Sequence, residues 1–261
     1  FLPQRSKFLP TSLRYSMARH LALRSGNPAL TSKVFMELGR ADAASAMTIQ
    51  GTVNKTGLAL LLLMAAATLT WNSPEAGGLI WIGALGGFIV ALITIFKKTA
   101  APYTVPVYAV LEGLFLGGIS RIFESMYPGI VQQAVFLTFG TLGALLLAYR
   151  SGLIKATENF KLGVTAATGG IAFVYIVSIV MGFFGIQFPM IHSSGPMGIL
   201  FSAFVVVIAA LNLVMDFDFI EEGAEHGAPK YMEWYGAFGL LVTLIWLYLE
   251  ILRLLAKLRE R

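Results

Sequence analysis

Residues 198–219 read GILFSAFVVVIAALNLVMDFDF. The first eighteen positions carry no charge, and the last four hold two aspartates, Asp216 and Asp218. A bilayer core about 30 Å thick asks a helix for roughly 20 apolar residues, and this stretch supplies them. Six other stretches are of the same kind: 56–71, 78–96, 103–123, 129–149, 162–184 and 235–255. Inside lipid the backbone must satisfy its own hydrogen bonds, so each is expected to be a helix. The alternating pattern of an outer-membrane barrel is missing. The expectation is an all-α polytopic membrane protein with seven spans.

The composition agrees. Of 261 residues, 57% are hydrophobic and only 13% are charged, against about 25% charged in a soluble domain. That excludes an ordinary cytosolic enzyme and equally excludes disorder. There is no cysteine, and the three histidines, His20, His192 and His226, fall in unrelated segments. Disulfides, thiolate metal sites and a His-based zinc site are therefore not expected. The net charge of +5 is not read as a nucleic-acid signal, because the basic residues flank apolar runs as topological anchors.

Two regions are distinguished. Residues 1–54 form a basic arm with seven Lys and Arg against Glu37 and Asp42 only. The arm has no apolar run of signal-peptide length; one short surface helix is expected in it, and Met17 is read as the natural start. Residues 55–261 form a single seven-helix transmembrane domain, with short polar connections and no internal repeat. With the N-terminus inside, fourteen Lys and Arg fall on the cytoplasmic side and five outside, which orients the arm to the cytoplasm. The basic C-terminal tail then lies outside, unless one segment is re-entrant.

Small residues are expected at helix contacts: the Gly113–Gly117 step in the third span, and Gly83, Gly86 and Gly87 in the second. Such residues let backbones approach closely in lipid. Aromatic residues in the spans are read as packing groups and interfacial anchors. Ionisable groups inside spans are expensive and rare, which makes them candidate functional residues. Glu112 lies near mid-bilayer, either as a functional group or as a structural carboxyl, held protonated or paired with Arg121. Asp216 is the deeper carboxylate of the sixth span, and Asp218 fits an acidic face with Glu221, Glu222 and Glu225. Glu250 lies late in the seventh span, three residues before Arg253. Carboxylate oxygens suit hard cations such as Ca²⁺, and two close carboxyls cannot both ionise cheaply. A carboxyl pair between helices can hold a proton, bind a cation or latch the helices. No nucleophile elbow, Walker loop or dinucleotide fingerprint is present. The His192–Gly195 stretch lacks the flanking glycine of a nucleophile motif, and no enzymatic activity or cofactor is expected.

Two motifs resemble a known family. Met215-Asp216-Phe217-Asp218-Phe219-Ile220 resembles the aspartate motif on the sixth helix of the Bax inhibitor-1/YccA-like membrane proteins. Glu112-Gly113-Leu114-Phe115-Leu116-Gly117-Gly118-Ile119 resembles the small-residue pattern of their third helix. The seven-span layout, and a region starting near Arg24-Ser25-Gly26-Asn27-Pro28, resemble the longer bacterial branch. The resemblance implies a bundle with the last helix central, in the inner (cytoplasmic) membrane. It also implies a pH-sensitive Ca²⁺ leak, in which aspartates on helices six and seven share a proton-dependent hydrogen bond. Asp216 matches the first of these. The second falls on Glu250 or on Thr243, depending on register, and Asp216 is the position expected to meet Ca²⁺. The competing expectation is a non-transporting regulator that binds a membrane protease or another membrane protein. Beyond that the expected partner is the lipid bilayer, with no nucleic acid.

Overall fold

A computed structural model describes residues 45–73, 77–185 and 193–260. Seven helices follow in order: α1 (Ile49–Asn72), α2 (Gly77–Phe96), α3 (Ala101–Met126), α4 (Ile130–Arg150), α5 (Glu158–Phe183), α6 (Pro196–Glu225) and α7 (Met232–Arg259). A 3₁₀ turn, Lys98–Ala100, joins α2 to α3. All seven are long and apolar enough to cross a membrane. Among the described residues there is no strand, only an isolated bridge between Ala46 and Pro229. The protein is an all-α polytopic membrane protein. Most of the arm, with His20, Met17 and the Arg24–Pro28 motif, lies outside the described residues.

The helix ends follow local chemistry. α1 begins at Ile49, six residues before the boundary drawn at 55, because Thr48 caps it: its hydroxyl accepts from the Gly51 N–H at 2.9 Å. The turn so formed is polar, with Gln50, Asn54 and Lys55, so hydropathy alone starts the helix too late. Thr157 caps α5 in the same way through the Phe160 N–H. Glycines with positive φ make the tight turns, Gly129 between α3 and α4 and Gly227 between α6 and α7. Glu124 completes the first of these by accepting from the N–H groups of Gly129 and Val131, satisfying two donors that a helix start leaves open.

α7 is the axis of the bundle. It packs against α6, α1, α4 and α3, and its buried residues run from Met232 to Lys257 with few breaks. Tyr235, Phe238, Leu241, Leu247 and Leu252 are among its fully buried side chains. α2 and α5 are the opposite case, with Trp81, Phe88 and Phe96 on one and Phe173, Ile176 and Phe183 on the other turned outward to lipid.

α3 is held between α1 and α2 by glycines on both sides. A Cβ on Gly113 or Gly117 would run into the carbonyl oxygens of Leu63 and Ala67 on α1. On the other side Gly83 of α2 lies against the backbone of Leu111 and Phe115. These glycines are packing residues, as the spacing leads one to expect.

Candidate functional site

Asp216 lies in the inner layer of α6 and is fully buried, at 0% exposure. The residues around it in sequence, Asn212 to Phe217, are buried without interruption, because this part of α6 is covered by α7 on one side and by α4, α5 and α1 on others. The register between α6 and α7 is fixed at both ends. Phe219 meets Tyr235 with ring centroids 6.4 Å apart. At the far end Lys257 Nζ donates to Ser202 Oγ at 2.9 Å and to the Gly198 carbonyl at 3.1 Å. Interpolating between them puts Asp216 within about one turn of the level of Thr243, itself buried, on antiparallel helices rising 1.5 Å per residue. Glu250 falls about 10–15 Å further along the axis by the same rise.

Glu250 has its own partners at that level. Its Oε1 accepts from Tyr175 Oη and from Arg253 Nη1, both at 2.9 Å, and the guanidinium also lies over the Tyr175 ring. Glu250 is 2% exposed while the Arg253 side chain remains 40% exposed, so the cation reaches from the edge to a buried carboxylate. The i,i+3 pairing with Arg253 is present, with a tyrosine added from α5. Of the two alternatives for the partner on α7, Thr243 is the nearer to the level of Asp216, and Glu250 lies seven residues, about 10 Å, beyond it.

The other carboxylates are separately housed. Glu112 is half-buried between α2 and α3. It lies where a side chain at Gly87 of α2 would be, its Oε1 2.7 Å from the position a Cβ there would take. It therefore faces a neighbouring helix. Pairing with Arg121 is corrected: Arg121 stands nine residues on, about 13 Å along the helix, and donates to the Trp71 carbonyl at 3.2 Å. Asp218 pairs with Lys161 of α5, both partly exposed, while Tyr149 of α4 donates to Glu221. The acidic face beyond Asp216 is thus tied to two neighbouring helices. His192 lies outside the described residues; in the loop after it, Ser194 donates to Glu260, as does Tyr127 at 2.8 Å. Those bonds, from Ser194 first, hold the Glu260 carboxyl below the usual carboxylate range.

One ionic cluster was missed from the sequence. Glu233, in the first turn of α7, has a side chain with no exposure. Its Oε1 accepts from the Thr48 N–H and hydroxyl, both at 2.9 Å, and from Lys230 at 2.9 Å, while Oε2 pairs with Lys55. Gly51 makes room for it, since a Cβ there would occupy the position of the carboxylate. Met47 N–H donates to the Ala228 carbonyl at 2.7 Å beside it. The available signal was an acidic residue at a helix start three positions after a lysine. Tyr175 and Tyr248, read as packing residues, each also place a hydroxyl on a polar partner.

Among the described residues no three carboxylates or histidines gather into a cation cage. Ca²⁺ takes six to eight oxygens, and the Asp216 carboxylate supplies two. What the arrangement offers at Asp216 is a fully buried carboxyl against the central helix, within about one turn of the Thr243 hydroxyl.

Among curated protein sequences, none matches the chain. The family model described as Bax inhibitor 1 like matches residues 27–260, a span that takes in all seven helices and every residue of the site. Together with the seven membrane-length helices, that match makes the chain a member of the Bax inhibitor-1-like family of integral membrane proteins.

Proposed function

We propose that the protein is a pH-sensitive cation leak pathway, with Ca²⁺ as the ion, and that the protonation state of Asp216 sets how α6 packs against α7. The reading puts it in the inner (cytoplasmic) membrane with the N-terminal arm in the cytoplasm and gives it no catalytic step. The observation that carries it is the complete burial of Asp216 on a membrane-spanning helix against the central one. A carboxyl so placed is costly, and such residues mark ion and proton pathways. Protonated, it can donate a hydrogen bond to a hydroxyl such as that of Thr243. Ionised, it is an oxygen ligand for a hard cation. Two oxygens suit an ion that passes better than one that stays. Because one carboxyl titrates in this register, the pH dependence is that of a single group rather than of a coupled pair.

The test is Ca²⁺ flux into proteoliposomes from about pH 5 to pH 8, comparing the wild type with Asp216→Asn and Glu250→Gln. Asp216→Asn is expected to abolish the pH dependence while Glu250→Gln keeps it. Loss in both variants would instead mean that the two carboxyls act as a pair. A wild-type pH profile in Asp216→Asn would make Asp216 a helix-packing residue and end the reading. Absence of flux at every pH would leave the family's other expectation, a non-transporting regulator of a membrane protein such as a protease.

A further inference from the structure

We propose that the groove between α1 and α4 holds one acyl chain of a phospholipid as a specific site. The cavity has a volume of about 370 Å³, within the range of small-molecule sites. Leu116 of α3 and Leu244 of α7 form its buried back wall, and Met64, Trp71 and Phe139 form an exposed rim. The rim is where the bilayer would meet it.

Three observations select the occupant. The α1 wall runs from Leu60 to Trp71, about 16 Å at 1.5 Å per residue, which is the depth of one leaflet of a hydrocarbon core about 30 Å thick. The hydroxyls along the walls are already engaged: Ser120 and Tyr248 bond each other at 2.6 Å, Thr68 donates to the Ala65 carbonyl and Thr138 to the Ala134 carbonyl. A wall whose polar groups are satisfied by the protein asks nothing of its guest, and a hydrocarbon chain offers nothing. At the mouth stands Trp71, an interfacial residue type, with Arg121 bonded to its carbonyl. Among the described residues that one bond leaves most of the guanidinium's five N–H groups unspent, and guanidinium is the group best matched to phosphate oxygens. A chain below and a phosphate above make a phospholipid, not a free fatty acid.

The experiment is native mass spectrometry of the delipidated full chain in mild detergent, titrated with a long-chain phosphatidylglycerol. Val135→Trp on α4 and Met64→Trp on α1 fill the groove from opposite walls. Phe136→Trp, next to Val135 but 69% exposed and outside the lining, is the control. Circular dichroism confirms that each variant is helical, and if one filler does not fold the other decides. The wild type and Phe136→Trp are expected to retain one phospholipid about tenfold more tightly than the folded filler, and a phosphatidylglycerol with six-carbon chains is expected to be retained as weakly as in the filler. Equal retention in filler and wild type, or preferential retention of oleic acid over the phospholipid, would overturn the proposal.

Discussion

Glu233 shows how one carboxylate can join the first and the seventh helix of a bundle. It is enclosed by donors from the residues before α1, from α1 itself and from the turn before α7. Leaving buried donors of this kind unmatched costs about 1–3 kcal/mol, and Lys230, whose side chain is 53% exposed, can turn to water and soften the loss. Glu233→Ala is therefore expected to lower the thermal midpoint in detergent by several degrees. Glu233→Gln, which keeps an acceptor for the Thr48 N–H, should fall between that variant and the wild type. A midpoint unchanged in Glu233→Ala would mean the cluster is ornamental. The cluster was illegible in the sequence for a physical reason: Thr48 and Lys55 are brought to Glu233 by tertiary packing across 185 and 178 residues of chain. Glu250 and Arg253 could be paired in advance because a helix makes i,i+3 residues neighbours. Their third member, Tyr175, comes from another helix and could not.

Among the elements, α3 depends most on what its side chains lack. Its glycines bring it against the backbones of both neighbours, and in lipid such close packing is a main source of helix association. Gly113→Ala and Gly117→Ala are expected to destabilise the fold, because the added methyl would meet a carbonyl oxygen of α1 that cannot move independently. Gly140→Ala on α4 and Gly169→Ala on α5 have open space at the same position, and each should be neutral or gain up to about 1 kcal/mol of helix propensity. Thermal unfolding of the four variants in one detergent checks this; equal effects in the two pairs would contradict it. The spacing of Gly113 and Gly117 advertised this contact, whereas nothing in the spacing told α1 from α2 as the partner. The spans themselves were legible because lipid imposes length and hydropathy on each separately. The α6–α7 register was partly legible, since a short turn forces antiparallel neighbours.

At the scale of the whole molecule, seven helices joined by short turns put the α2–α3 connection and the α4–α5 connection at the same end of the bundle. Lys97, Lys98, Arg150 and Lys155 all lie there, and the distribution of positive charge leads one to expect that end in the cytoplasm. Reporter fusions after Lys98 and after Arg150 are both expected to read as cytoplasmic, and an exterior signal from either would reverse the topology. That the last helix is central was legible only through the family resemblance, because α7 is no more hydrophobic than helices that face lipid; its centrality lies in how many neighbours cover it. That centrality bears on the order of biosynthesis. A ribosome releases α7 after the other six helices, yet α4 and α6 rest on it, whereas α1, α2 and α3 can join through their own glycine-lined contacts. The first three helices can therefore mature as a unit while the chain is still growing. α6, with Asp216 on its future inner face, lacks its most extensive neighbour until α7 is made, so the carboxyl is fully enclosed only at that step.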